Sequence, residues 1–158
     1  MKKSAKPKKL CLISSSGGHY EQLKMLMRLK NTYRVYVVTE KTEYDTGAKY
    51  YLLPPPTKRN KFVGYVRFVL NFIASFFLFL KEWPDVVIST GTRVAIPTVV
   101  WAKLFRKKVI YIETFARVYD GTKSGKFVYK HKLYDLFIYQ WETLKDIYPD
   151  GVYGGGIY

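Results

Sequence analysis

The sequence predicts an α/β protein with a Rossmann-like fold, in which helices cover a doubly wound and mainly parallel sheet. Short apolar runs suit buried strands, helical patterns separate those runs, and several of them end in loops of small residues. We predict strands at Leu10–Ser14, Val35–Thr39, Lys49–Leu53, Asp85–Ser89, Lys108–Ile112 and Leu136–Tyr139. We predict helices at about 18–30, 61–81, 95–106, 124–132 and 141–148. This alternation of strand and helix is typical of βαβ units.

The length and charge of the chain indicate its domain organisation and its class of partner. Its 158 residues suit one domain, which we place at 10–158 after a solvated basic tail at 1–9. Lys and Arg number 27 against 12 Asp and Glu, which gives a net charge of +15. Such an excess predicts a polyanionic partner, whether nucleic acid, an anionic membrane surface or a phosphorylated substrate.

Cysteine and histidine are too few for disulfide or zinc chemistry. The single cysteine, Cys11, cannot form an internal disulfide, and its apolar neighbours predict a buried, inert thiol. Two histidines with one cysteine cannot build a zinc site of the usual kind, and the chain has no Asp-x-Asp pair. We therefore expect neither a bound metal nor a cofactor.

The predicted helix at 61–81 contains an unusually apolar run, residues 62–80. Besides Ala74, its polar or small positions share one narrow helical stripe. They are Gly64, Arg67, Asn71 and Ser75. Nineteen residues could just span a bilayer, but Arg67 near the middle makes spanning costly, by roughly 2.5–3.5 kcal/mol.

We interpret this helix as lying in the membrane interface or beneath a partner, with flanking cations near lipid headgroups. The flanking cations are Lys58, Arg59, Lys61 and Lys81. The residues that we expect to contact the membrane are Lys61, Phe62, Tyr65, Arg67, Phe68, Phe72, Phe76 and Phe79. The alternative is an ordinary core helix that covers the sheet.

Three loops follow predicted strands, at the edge where open α/β sheets bind ligands. Ser14–His19 joins small residues to a helix start, which favours phosphate; the alternative is an ordinary strand–helix turn. Ser89–Thr92 offers hydroxyls to a ligand or to the cap of the next helix. Glu113–Arg117 begins with a carboxylate that is a candidate base, or else a salt-bridge partner. Gly121–Phe127 imitates a phosphate loop but is one residue short and lacks its Ser or Thr.

Five motifs in a fixed order make the sequence recognisable. They are Ser15–His19, Asp85–Thr92 followed by Ile96-Pro97, Tyr111–Val118, Ser124–Lys126, and Phe137–Glu142 continuing to Tyr148-Pro149 and Tyr153–Gly155. In these motifs the chain resembles, over about residues 10–158, the membrane-associated subunit of two-subunit, polyprenyl-diphosphate-linked glycosyltransferases. That family includes the anchor subunit of the eukaryotic dolichyl-diphosphate N-acetylglucosaminyltransferase and bacterial capsular and exopolysaccharide enhancer subunits.

The resemblance implies the N-terminal, acceptor-side half of a GT-B glycosyltransferase, similar to that of the MurG-type peptidoglycan enzyme. A donor-binding subunit would supply the nucleotide-sugar site, and this chain would bring it to the membrane as a heterodimer. Eukaryotic members carry an N-terminal transmembrane helix where this chain has a lysine tail, so we expect peripheral or monotopic attachment at the cytoplasmic face of a bacterial plasma membrane. By position, the residues implied to bind the acceptor diphosphate are Ser16, Gly17, Gly18, Thr90, Gly91, Thr92 and Arg117.

Glycosyl transfer to a sugar hydroxyl needs a general base, for which His19 and Glu113 are the candidates. We expect a subunit that binds a polyprenyl-diphosphate-linked sugar, recruits or activates its catalytic partner in polysaccharide biosynthesis, and is no enzyme alone. One alternative is a purely structural membrane anchor and stabiliser that contributes nothing to the active site. A nucleic-acid binder is disfavoured, because the aromatic residues concentrate in the apolar helix rather than among basic residues.

Overall fold

The computed structural model describes residues 6–56 and 60–157. The strands are β1 (Lys9–Ile13), β2 (Arg34–Glu40), β3 (Tyr50–Leu52), β4 (Val86–Ser89), β5 (Lys108–Ile112), β6 (Leu136–Tyr139) and β7 (Val152–Tyr153). The α-helices are α1 (Gly18–Met25), α2 (Lys61–Glu82), α3 (Ile96–Leu104) and α4 (Lys123–Lys130). Short 3-10 turns cover Leu26–Asn31, Arg93–Ala95 and Glu142–Leu144.

All neighbouring strands pair in parallel, in the order β3-β2-β1-β4-β5-β6-β7. The strand order reverses at β1, because β2 and β3 lie on one side of it and β4 to β7 on the other. In open sheets of this kind, the loops that follow the two strands at such a point diverge and leave a crevice for a ligand. The predicted Rossmann-like, doubly wound fold is confirmed.

Alternate residues of the central strands bury into two apolar clusters, one on each face of the sheet. Cys11 and Ile13 of β1 belong to the cluster beneath α2 and α3, whereas Leu10 and Leu12 pack beneath α1. The predicted burial of Cys11 is confirmed, and that burial raises the pKa of its thiol to about 12. The thiol is therefore neutral at physiological pH and inert as a nucleophile.

Helix α2 begins and ends at clear caps and runs past the carboxyl edge of the sheet. The Asn60 side chain accepts hydrogen bonds from the first-turn N–H groups, and Trp83 closes the helix in the left-handed region at φ 42°. Asn71 bonds Leu53 at the end of β3, whereas Glu82 bonds Lys9 at the start of β1. The turns before Asn71 therefore project about 15 Å beyond the sheet.

Several predicted boundaries differ from the structure. The predicted helix at 141–148 is wrong: only Glu142–Leu144 forms a 3-10 turn, and β7 follows it. The Trp141 indole bonds the Phe115 carbonyl and the Tyr148 hydroxyl bonds Glu113, so both ends of this segment are held to the loop after β5. Lys9, assigned to the basic tail, lies in β1. The start of that tail (1–5) and the cations Lys58 and Arg59 lie outside the described residues.

Candidate functional site

The loops after β1 and β4 meet at the carboxyl edge of the sheet and form a candidate site. Ser15 on the first loop donates its N–H to the Thr92 hydroxyl on the second, at 3.1 Å. His19 and Thr90 join the same loops by two further hydrogen bonds. The structure therefore brings together two of the three loops that the sequence predicts to be functional.

The glycines of the first loop leave space for a ligand. Gly17 has a φ of +75°, a conformation that favours glycine, and its carbonyl accepts the first hydrogen bonds of α1. Both Gly17 and Gly18 are exposed, and a Cβ added to either would meet nothing within 4 Å. Backbone N–H groups at the start of a helix favour an anion, so this open loop suits a phosphate.

His19 is held in one orientation, with one ring nitrogen occupied. Its Nδ1 lies 2.8 Å from the carbonyl oxygen of Thr90, and the Thr90 hydroxyl donates to the carbonyl of His19 at 2.8 Å. Because a carbonyl only accepts, Nδ1 must carry the proton. In the neutral ring, Nε2 is then unprotonated and can act as a base.

Gly91 allows the second loop to lie against its neighbours. Its φ is +105°, and an added Cβ would stand 3.3 Å from the Tyr111 hydroxyl and 3.4 Å from the His19 ring. Thr92, which follows, also has a positive φ of 85°. Such backbone is rare outside glycine and persists where surrounding contacts fix it.

Glu113 is fully buried, and both of its carboxylate oxygens are occupied. The Tyr148 hydroxyl donates to Oε2 at 2.6 Å, and Thr122 donates its N–H and its hydroxyl. The N–H of Thr114 donates to Oε1 at 3.0 Å. A Cβ on Gly125 would lie 2.0 Å from Oε2, so a glycine is needed where α4 crosses this carboxylate. These contacts position the loop after β5 and the start of α4.

Glu113 also influences its neighbours electrostatically. Burial, together with the negative charge of Glu113, raises the pKa of the Tyr148 hydroxyl far above its usual range. The salt bridge between Glu113 and Arg117, which was the sequence alternative, is absent from the part of the chain that the structure describes. Arg117 is exposed near Asp120, whose pKa is lowered mainly by Lys126 and less by Arg117.

Beneath the loop after β5 lies a buried pair of amides that sequence reasoning missed. Gln140 donates to the side-chain oxygen of Gln22 at 3.1 Å and to the Glu113 carbonyl at 2.8 Å. Gln22 in turn accepts from the N–H of Phe115. The pair ties α1 to the loops after β5 and β6, and only the position of Gln140 after a strand could have signalled it.

A second missed group is Glu40, at the end of β2. It is nearly buried, and its Oε1 accepts from the N–H and the hydroxyl of Ser16, at 3.2 and 2.7 Å. Ser16, expected to bind a diphosphate, is therefore engaged with a carboxylate. Glu40 lines a cavity of about 200 Å³ that reaches to the overhanging turns of α2.

Helix α2 is amphipathic in the reverse of the usual sense, since its polar stripe faces the protein. Arg67 donates to the carbonyls of Pro54 and Pro55, and Asn71 bonds both backbone groups of Leu53. Eight of its large apolar side chains are exposed on the opposite side of the helix. We call this exposed set the outward face: Phe62, Tyr65, Val66, Val69, Leu70, Ile73, Phe77 and Leu80.

The residues expected to contact a membrane divide into three groups. Phe62 is 74% exposed, and Lys61 and Tyr65 beside it are also exposed. Phe68, Phe72 and Phe76 are half-buried, the last two with ring centroids 4.7 Å from Trp101 of α3.

One member of that expected set is corrected: Phe79 is 1% exposed and belongs to the core. Arg67 is half-buried and donates to the carbonyls of Pro54 and Pro55.

By length and composition, α2 is apolar and long enough to cross a membrane. In its second half, however, Asn71, Ser75, Phe79 and Glu82 are buried against the rest of the protein. A helix that holds its own domain along one face suits an interfacial position better than a span. Cations accompany it: Lys61 and Lys81 at its ends, and Lys107 over the Trp83 ring at 4.8 Å.

Comparison of the sequence with known proteins identifies the family. The model of a family described as "Oligosaccharide biosynthesis protein Alg14 like" matches residues 57–157. The chain belongs to this Alg14-like family. It is 33% identical to the Mus musculus protein named "UDP-N-acetylglucosamine transferase subunit ALG14" over 181 residues, covering 94% of this chain and 82% of that protein. The Homo sapiens protein of the same name is 31% identical over 179 residues, with the same coverage.

Solved structures place the Alg14-like chain among GT-B folds. Acinetobacter baumannii MurG superposes with a TM-score of 0.69 at 14% identity, covering 87% of this chain and 43% of MurG. UDP-GlcNAc 2-epimerase from Methanocaldococcus jannaschii gives 0.69 at 18% identity, covering 90% of this chain and 42% of the epimerase. These likenesses concern the fold. The Alg14-like chain spans less than half the length of either protein and matches one half of a GT-B architecture.

Proposed function

We propose that this chain is the acceptor-side, membrane-associated subunit of a heteromeric glycosyltransferase. It binds a polyprenyl-diphosphate-linked sugar and recruits or activates a donor-binding catalytic subunit that holds the nucleotide sugar. Membership of the Alg14-like family and relatives named as transferase subunits support this proposal. The product that we propose, a capsular or exopolysaccharide, rests on the resemblance of the motifs alone.

The observation that carries the proposal is that the overhanging turns of α2 share a cavity with Ser15, on the loop that contains the two open glycines. The overhanging turns of α2 flank the edge where Gly17 and Gly18 lie open to an anion. A lipid-linked diphosphate combines the two chemistries that these surfaces favour: an apolar chain and a phosphate at a helix N-terminus. A nucleic acid would use the basic groups but would leave the outward face unpartnered.

In this proposal, His19 acts as the general base of transfer. Its Nδ1–H is held by the Thr90 carbonyl, which leaves Nε2 to take the proton of the attacking sugar hydroxyl. The hydroxyl oxygen then attacks the anomeric carbon of the donor, and the nucleotide diphosphate leaves into the site of the partner subunit. Glu113 is less suited to this role, because hydroxyl and N–H groups already occupy both of its oxygens.

We propose that membrane attachment is interfacial, at the cytoplasmic face of a bacterial plasma membrane. The net charge of +15 and the cations Lys61, Lys81 and Lys107 beside the outward face favour the anionic cytoplasmic leaflet. At 74% and 63% exposed, Phe62 and Phe77 would each contribute roughly 1–2 kcal/mol of burial in lipid.

The alternative proposal is a structural anchor whose site takes no part in catalysis. His19→Asn separates the two, because the Asn amide can still donate to the Thr90 carbonyl while the base at Nε2 is lost. We would assay the co-purified pair for transfer from labelled UDP-GlcNAc, and from other nucleotide sugars, to a polyprenyl-diphosphate-linked sugar. Loss of turnover with intact pairing supports a catalytic contribution of this chain. Unchanged turnover with intact pairing supports the anchor.

Flotation with liposomes tests membrane attachment by itself. The double variant Phe62→Ser with Phe77→Ser should reduce binding to phosphatidylglycerol liposomes by about 30-fold or more, from the lost burial. Tyr44→Ser is the matched control, since Tyr44 is 81% exposed but lies on the loop after β2. If the unaltered chain, the double variant and Tyr44→Ser bind the liposomes equally, the outward face has no role in membrane attachment.

A further inference from the structure

A cavity of about 200 Å³ lies between the overhanging turns of α2 and the candidate site. The linker Pro54–Pro56 closes one side, and the start of the segment after β4 closes another. Ser15, Glu40 and Thr92 line the end next to the loops after β1 and β4, whereas Phe68 lines the end towards α2. The cavity thus connects the proposed acceptor site to the helix that carries the outward face.

Two arginines on its lining carry unpaired positive charge. Arg67 donates through Nη1 to the carbonyls of Pro54 and Pro55 at 2.9 and 3.2 Å, and its remaining N–H groups are available. The guanidinium carbon of Arg93 lies 5.4 Å from the Phe68 ring centroid. Within residues 6–56 and 60–157, neither guanidinium forms an ion pair with a carboxylate. Two such groups beside apolar surface suit a phosphate ester with an apolar chain.

Gly64 keeps the cavity open. A glycine inside a helix costs about 0.5–1 kcal/mol relative to alanine, and its helical backbone requires no glycine. A Cβ at Gly64 would make only ordinary contact with Pro56, at 3.7 Å. Because Gly64 has no side chain, it leaves this part of the cavity empty, and a long side chain at position 64 would fill it.

Glu40 determines which way round a ligand would bind in the cavity. Its Oε1 is engaged by Ser16, whereas no described group donates to Oε2. A carboxylate favours a hydroxyl donor and repels phosphate, so an anion should lie towards the arginines and a hydroxyl towards Glu40.

We propose that this cavity binds the phosphorylated end of an isoprenoid diphosphate. Arg67 and Arg93 hold the phosphate nearer the lipid, the first isoprene unit lies against Phe68, and the phosphate nearer the sugar is left to the glycine loop. The proposal rests on the proposed function and adds the place where the lipid passes from the outward face into the site. The cavity is smaller than the roughly 300–1,000 Å³ that enclose drug-sized ligands, so only one end of the lipid enters. A single isoprenoid chain needs less of this volume than a glycerophospholipid, which branches into two chains next to its phosphate.

Calorimetric titration of the full chain with farnesyl diphosphate tests the proposal. Gly64→Leu should abolish binding, Gly64→Ala should retain it, and Arg93→Gln should weaken it by about ten-fold or more. Arg93 is exposed, so replacing it should leave the fold intact. For the two Gly64 variants, a thermal unfolding midpoint equal to that of the unaltered chain would show that the fold is retained. Inorganic diphosphate, farnesol and dihexanoyl phosphatidylglycerol are competitors, each of which should compete far more weakly.

Three outcomes would overturn the proposal: no binding of farnesyl diphosphate by the unaltered chain, equal binding by Gly64→Leu and Gly64→Ala, or equal competition by dihexanoyl phosphatidylglycerol. The last outcome would identify a general phospholipid site. Transferase assays of the co-purified pair distinguish this failure from that of the proposed function. If the pair transfers sugar but the cavity does not bind a prenyl diphosphate, the proposed lipid site is refuted and the proposed function stands. If the cavity binds a prenyl diphosphate but the pair transfers no sugar, the transferase role is refuted and the lipid site stands.

Discussion

Replacing Glu82 should remove a large, pH-dependent part of the stability of the fold. This nearly buried carboxylate at the end of α2 pairs with Lys9 at 2.5 Å and Lys49 at 2.7 Å and accepts from the Tyr50 hydroxyl. Burial works to raise the pKa of the Glu82 carboxyl, but the hydrogen bonds from Lys49, Lys9 and Tyr50 outweigh it and hold the pKa to about 2. The cluster joins α2 to the starts of β1 and β3.

The size and sign of the effect follow from that lowered pKa. The ordinary pKa of the group is 4.5, and a decrease to about 2 corresponds to about 3 kcal/mol of stabilisation of the folded state. Because the folded-state pKa is the lower one, this stabilisation is fully present above about pH 5. It is lost progressively as the pH falls from about 5 to about 2.

Urea unfolding of the wild type and of Glu82→Gln between pH 3 and pH 7 measures this contribution. Hydrogen bonding also lowers the pKa of Asp135, so the wild-type slope is shared among carboxyls and only the difference between the two proteins isolates Glu82. We expect a difference of about 3 kcal/mol at pH 7 that shrinks towards acid. A difference that stays constant across this range would refute the electrostatic account.

Three further substitutions test how the site is held. Gly91→Ala should lower the free energy of unfolding by about 1–3 kcal/mol because Gly91 has a positive φ, whereas Gly18→Ala, in open space, should change it by less than about 0.5 kcal/mol. Equal free energies of unfolding for the two variants in urea would contradict this. Glu113→Gln should cost about 3 kcal/mol, because its new N–H donors would face the donors that now bond the carboxylate; an unchanged thermal midpoint would show that the contacts are dispensable. Asn71→Ala should cost about 1–2 kcal/mol and speed proteolysis near Leu53, whose backbone loses both partners; unchanged proteolysis would argue against this anchor.

The sequence predicts α2 well in extent but not in orientation. Its predicted bounds, 61–81, match Lys61–Glu82 within one residue, and the stripe through Arg67 and Asn71 is real. Periodicity shows which residues share a face, but not whether that face meets solvent, lipid or protein. The bonds to Leu53 and to the proline carbonyls decide the matter, and they depend on how the linker folds back.

The site shows the same division between local pattern and long-range contact. Small residues after β1 and β4 predict the two loops that meet, because loops that follow neighbouring parallel strands share an edge. Whether Glu113 or His19 has a free atom depends on Tyr148 and Thr90, which are 35 and 71 residues away in sequence. Glu40 was missed because a single carboxylate at a strand end carries no distinguishing pattern.

The outward-facing apolar side chains of α2 also determine the route by which a lipid-linked substrate would reach the site. Its polar stripe holds the domain, so the helix cannot swing away, and its axis runs along the strands from the carboxyl edge to the amino edge. If the outward face lies flat on a bilayer, the strands lie parallel to the surface and the glycine loop opens sideways along it. A lipid-borne acceptor would then reach the site by lateral diffusion in two dimensions, without leaving its leaflet.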